Sequence, residues 1–174
     1  MAYVLSDLCD VLPGTLKLIF QPAEEGVRGA KAMVAAGVVD DADYVVGLHL
    51  YSGWPVGQVV PGKGGFFATD KFDAFLTGEP AHAGGNPHAG HNALLAAATA
   101  ALNLHAIPRH RDGPTRINVG KLTAGQGRNV IPPSAHMVIE TRGATSDLNT
   151  YMVDAARRVL EAAAAAYGCG LTIK

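Results

Sequence analysis

Two adjacent carboxylates, Glu24 and Glu25, follow the apolar run Leu16-Lys17-Leu18-Ile19-Phe20 and the breaker Pro22. The run reads as a buried strand that Pro22 ends. The acid pair then falls at the carboxyl end of a strand, where open α/β sheets place their ligands. Adjacent acids can divide labour, one coordinating a cation while the other moves protons. The alternative is a solvated pair opening the next helix, where acids suit the positive end of the dipole. His49 lies near the carboxyl end of a second apolar run, residues 44–50. Imidazole and carboxylate could converge there on one divalent ion such as zinc; the alternative is a satisfied core histidine.

His82 sits in a Gly-rich loop, residues 80–88, and such loops carry function more often than core segments do. His88 and His91 read equally well as solvated loop residues, and His105, His110 and His136 as structural or surface residues. Residues 125–132, with Asn129, form a tight polar loop that by itself predicts a turn. Arg142 ends the strand that follows. Its planar fork suits bidentate recognition of a carboxylate, the alternative being a surface cation.

These side chains need elements to position them. Residues 2–11 have the spacing of a short helix, 16–21 of a strand, 28–36 of an amphipathic helix stopped by Gly37, and 44–50 and 56–60 of two further strands. Strand and helix alternate, as in a parallel α/β domain, but the strands are too few to make a sheet alone. The pattern changes at the glycine-rich stretch 62–65. Beyond it, strands are expected at 72–76, 116–122, 135–141 and 171–174. Helices are expected at 92–107, capped by Asn92, and at 147–167, stopped by Gly168. That β-α-β-β-α-β order is the ferredoxin-like sandwich, an antiparallel sheet with both helices on one face. The expected fold is therefore α/β, a partial catalytic domain over residues 1–64 and an α+β ferredoxin-like domain over 65–174.

Composition narrows the function classes. With 174 residues, 48% apolar content and a net charge of −1, the chain carries no footprint for nucleic acid or an anionic membrane. Cys9 and Cys169 are too few and too distant for a disulfide framework. The longest apolar stretch, 93–102, is too short and alanine-rich to span a bilayer. No charged-then-apolar leader opens the chain, and a soluble cytoplasmic protein is expected.

Taken together, four blocks resemble the aminoacylase and carboxypeptidase-type family of dinuclear metallopeptidases: residues 20–26 (FQPAEEG), Gly47-Leu48-His49, residues 81–94 (AHAGGNPHAGHNAL) and residues 129–142 (NVIPPSAHMVIETR). Arg28-Gly29-Ala30 and Gly127-Arg128-Asn129 resemble its amidohydrolase branch, which contains the aminobenzoyl-glutamate hydrolases. The resemblance implies Glu24 as general base, Glu25 and His49 as metal ligands, and zinc or manganese as the metal. It implies His82 as a lid histidine reaching the active site of the partner chain, and Asn129 and Arg142 as substrate-binding residues, Arg142 on a terminal carboxylate. It also implies that residues 65–174 are a lid and dimerisation domain, and that the substrate is an N-acyl or aminobenzoyl amino acid whose amide is hydrolysed.

The family carries further ligands upstream of the acid pair and downstream of the lid, and no match to them occurs in this sequence. Glu25 and His49 are too few for a closed zinc site. The chain is therefore expected to be an internal or truncated piece that is inactive alone, working as a homodimer through the lid or with a related second subunit. The alternative function is a non-catalytic dimerisation module.

Overall fold

The computed structural model describes residues 2–24, 28–50, 52–62 and 66–174. Glu25 and most of the glycine-rich stretch at 62–65 therefore lie outside the described residues. The chain divides into two compact units, Met1–Val59 and Val60–Lys174.

In the first unit, the regular elements among the described residues are α1 (Ala2–Asp7) and α2 (Gly29–Ala35). The helix expected at 28–36 is present, and the one expected at 2–11 is shorter. The strands expected at 16–21, 44–50 and 56–60 are not formed. A strand exists only with a neighbour to complete its hydrogen-bond ladder, and these segments pair with no other described strand. Their apolar side chains stand in solvent instead: Phe20 is 80% exposed and Leu50 95%. A side-chain tie links two distant segments of this unit. Lys17 pairs with Asp41 and donates to the carbonyl of Val38 at 3.2 Å. That ammonium lowers the Asp41 carboxyl below its ordinary range.

The second unit runs β1 (Ala68–Thr77), a 3-10 turn (Pro87–Ala89), α3 (Ala93–His105), β2 (Thr115–Ala124), β3 (Ser134–Gly143), α4 (Ser146–Ala166) and β4 (Gly170–Ile173). The four strands make one sheet in the order β2-β3-β1-β4, with every neighbouring pair antiparallel. Each strand and helix expected in this region is present, most of the strands a few residues longer than their apolar cores.

Alternation explains the register. Along β3, Ala135, Met137, Ile139 and Thr141 are buried while the residues between them are not. A one-residue slip would turn that apolar set to water. On β1, Ala74 and Leu76 complete the buried face. Against it lie Ala93, Ala96, Ala97, Ala100 and Leu104 of α3, and Met152, Ala156 and Leu160 of α4. The alanines let both helices approach the sheet closely. Asn92 caps α3 by accepting from Leu95 N–H at 3.1 Å, and Thr145 caps α4 by accepting from Leu148 N–H at 3.3 Å. Gly168, at φ +64°, ends α4 in the left-handed conformation. A bulge between Val119 and Lys121 interrupts β2, which lies at the sheet edge. No helix among the described residues is long and apolar enough to cross a membrane.

Candidate functional site

In the first unit, the chain after Pro22 is bent at Ala23, whose φ of 51° lies in the left-handed region. A non-glycine residue there costs about 1–2 kcal/mol and must be held by its surroundings. The holding group is the start of α2. Gly29 is buried, and a Cβ at that position would overlap the carbonyl of Pro22. Helix and turn thus meet backbone to backbone, and the turn presents Glu24 outward.

His49 meets it. The Glu24 Oε1 to His49 Nε2 separation is 4.0 Å, with both side chains more than half exposed. His49 Nδ1 contacts the carbonyl oxygen of Leu50. A carbonyl can only accept, so Nδ1 carries a proton, and in the neutral ring Nε2 presents its lone pair towards the carboxylate. Two acceptors facing one another at that distance make no direct hydrogen bond. An Nδ1–H anchored on a backbone carbonyl is also how metal-binding imidazoles are commonly fixed. The donor chemistry therefore fits a divalent ion held by His49, with Glu24 beside it. Glu25, the other ligand expected from sequence, lies outside the described residues. Among the described residues, no cluster of three or more His, Cys, Asp or Glu is assembled.

In the second unit, the His82 loop and the Asn129 loop are knitted together. His82 and Val130 form an isolated antiparallel bridge; Ala83 N–H donates to Asn129 O and Ile131 N–H to Ala81 O, both at 2.9 Å. The imidazole of His82 is oriented from below: Nδ1 accepts from Gly84 N–H at 3.2 Å and Gly85 N–H at 2.9 Å. Two donors on Nδ1 leave the proton of the neutral ring on Nε2, which makes the exposed edge of His82 a hydrogen-bond donor. A Cβ on residue 85 would come within 3.3 Å of His82 Nδ1, so this loop's glycines keep room for the ring.

Arg142 is elsewhere. It sits near the end of β3, opposite Arg116 on β2 and Thr69 on β1. Its Nη2 donates to Glu140 Oε1 at 3.0 Å. Ser134 to Arg142 spans eight strand steps, about 26 Å at about 3.3 Å each. Sequence reasoning placed Asn129, His82 and Arg142 in one lid; they occupy opposite ends of its sheet. It missed Gly29 and Ala23, whose importance lies in a backbone contact that has no local signature. His136, read as structural or surface, pairs with Asp73 at 2.7 Å and stacks on Phe75 at 4.5 Å between ring centres.

Comparison with known proteins agrees with these blocks. The model of "Peptidase family M20/M25/M40" matches residues 1–170. The chain is 56% identical over 174 residues to the indole-3-acetyl-aspartic acid hydrolase of Enterobacter agglomerans, covering 100% of this chain and 40% of that protein. It is 54% identical over 171 residues to one subunit of the p-aminobenzoyl-glutamate hydrolase of Escherichia coli K12, covering 98% of this chain and 39% of that one. The crystal structure of an aminobenzoyl-glutamate utilization protein from Klebsiella pneumoniae superposes with a TM-score of 0.78 at 54% identity, covering 99% of this chain and 44% of that chain. The chain thus spans about two fifths of the length of the curated relatives it matches most fully. With metal-dependent hydrolases as its members, peptidase family M20/M25/M40 is the family to which this chain belongs.

Proposed function

We propose that this chain supplies the general base, one imidazole ligand and the substrate-holding lid of a metal-dependent amidohydrolase. Its substrate is an N-acyl or aminobenzoyl amino acid. The observation that carries this reading is His49, its Nδ1 against Leu50 O and its Nε2 4.0 Å from Glu24 Oε1. The names of the two hydrolases above support it, since both describe cleavage of an amide to an acidic amino acid.

When bound, a divalent ion such as zinc or manganese polarises the amide carbonyl and eases deprotonation of water. His49 would hold that ion together with Glu25. Glu24, left outside the ligand set, takes the proton of the attacking water and returns it to the leaving nitrogen. His82 Nε2–H donates to the carbonyl oxygen as charge builds there, a contact worth roughly 3 kcal/mol in comparable sites. Arg142 holds the terminal carboxylate, and Asn129 contacts the substrate beside His82.

The lid geometry bears on assembly. A single small substrate touched by both His82 and Arg142 cannot draw them from one copy, because about 26 Å of β3 separates their ends of the sheet. The two contacts come from two chains, which supports pairing through residues 65–174 as a ferredoxin-like lid. β2 offers a ten-residue edge, and α3, which packs over it, exposes Leu94, Leu95 and Leu102. The partner is a second copy or a related chain; the Escherichia coli relative is itself named as one subunit of its hydrolase. Leu102→Glu, on a side chain 77% exposed, is expected to convert the dimer to monomer in sedimentation. An unchanged sedimentation coefficient would take α3 out of the interface.

Zinc titration, paired with an assay on p-aminobenzoyl-glutamate, tests the catalytic reading. With one imidazole and its neighbouring carboxylates, the chain alone is expected to bind zinc weakly and to turn over no substrate. His49→Ala should weaken zinc binding by about tenfold or more, and Glu24→Gln should leave it unchanged. Equal zinc affinity in His49→Ala and the parent chain would remove His49 from the site. A second reading is favoured by the completeness of the second unit's sheet and core beside the exposed apolar segments of the first: a non-catalytic dimerisation module. An inert dimer whose zinc uptake ignores both substitutions would select it.

A further inference from the structure

The helix-free face of the sheet is basic, although the whole chain carries a net charge of −1. By strand alternation and register, this face carries five cations, Lys71, Arg116, Lys121, Arg142 and Lys174, against two carboxylates, Asp73 and Glu140. The sharpest imbalance is at one end. Arg116 and Arg142 lie directly opposite each other in the β2–β3 register, and like charges in that relation destabilise a sheet. Glu140 engages Arg142 through Nη2 alone, leaving the rest of that fork available. Arg116 donates Nη1 to its neighbour's carbonyl, Thr115 O, at 2.8 Å. Among the described residues, no carboxylate lies within ion-pair distance of Arg116. Two guanidiniums therefore share one protein carboxylate, and the end of the sheet is short of negative charge.

We propose that Arg116 is the specificity-determining residue for an acidic amino acid: it takes the side-chain carboxylate while Arg142 takes the terminal one. This rests on the reading of Arg142 as the terminal-carboxylate clamp. Side chains directly opposite on antiparallel strands have Cβ atoms about 4.5–5.5 Å apart. The two carboxyl carbons reach about 5 Å apart in an extended glutamyl unit and about 4 Å in an extended aspartyl one. Two flexible arginine side chains rooted at that spacing can bring one planar fork to each of two carboxylates, which relieves the repulsion between them.

The test titrates the full 174-residue chain with N-acetyl-L-glutamate and with its neutral isostere N-acetyl-L-glutamine, at low salt, following amide shifts by NMR. The parent chain is expected to prefer N-acetyl-L-glutamate by about tenfold, the scale of one charge-assisted pair. Arg116→Gln should abolish that preference while leaving the affinity for N-acetyl-L-glutamine within about twofold. Arg142→Gln should weaken both ligands. A preference that survives Arg116→Gln, with both affinities reduced in Arg142→Gln, overturns the role of Arg116 and leaves the Arg142 reading standing. Affinities untouched by Arg142→Gln overturn that reading and this proposal together. A parent chain that binds neither ligand at millimolar concentration, or shows no preference between them, also overturns the proposal.

Discussion

Gly78→Ala is expected to destabilise the second unit by about 3 kcal/mol, the upper end for overpacking a site that cannot relax. Gly78 follows β1, and its N–H donates to Pro133 O at 2.7 Å. A Cβ there would overlap the carbonyl oxygen of His91 and lie 2.9 Å from its carbon and 3.3 Å from Ala93 N. All three atoms are backbone, so no rotamer change makes room. They are also committed: Glu79 N–H donates to His91 O at 3.1 Å, and His91 N–H returns the bond to Glu79 O at 3.0 Å. Moving that carbonyl opens the bridge that brings β1 to the start of α3, beside the His82 loop. Gly120→Ala is the control. Its Cβ would find Asn118 Nδ2 at 3.7 Å and Val138 O at 3.9 Å, ordinary contacts, and it should change stability by less than about 0.5 kcal/mol. Urea denaturation of the two variants reads the difference. Similar midpoints would mean that the backbone around His91 yields, and that the close approach at Gly78 is not needed.

The second unit was legible because each of its elements carries its own signal. The Asn92 cap and the glycine after α4 are both local, and the observed helices follow them closely. The first unit misled for the same reason. The apolar runs at 16–20 and 44–50 have strand composition, but a ladder needs a neighbour that local sequence does not supply, and the chain spans two fifths of its relatives' length. The approach of Glu24 to His49 could be expected from two apolar runs that end in polar residues. The left-handed Ala23 and the seating of Gly29 on Pro22 could not, since both arise from one backbone pressing on another. Arg116 was invisible for a different reason. Its meaning comes from lying opposite Arg142, a cross-strand relation set by the β2–β3 register and its bulge.

Leu104→Ala should cost about 2–5 kcal/mol, and the neighbourhood argues for the upper half of that range. The inward face of α3 otherwise consists of Ala93, Ala96, Ala97 and Ala100. These short side chains let the helix sit close to the sheet and leave Leu104, fully buried, to fill the space at its end. Alanine neighbours have no longer rotamer with which to refill a void, so little of the lost volume can be recovered by collapse. The same helix turns Leu94, Leu95 and Leu102 outward. The two faces should separate by experiment: Leu102→Glu disrupts the proposed dimer but has little effect on unfolding at a protomer concentration below the dimer's dissociation constant, where parent and variant are both monomers. Leu104→Ala lowers the urea midpoint first and weakens pairing only as the unit loosens. If Leu104→Ala cost less than about 1 kcal/mol, α3 would not be fastened by its inward face. The core drawn between helix and sheet would need a different anchor.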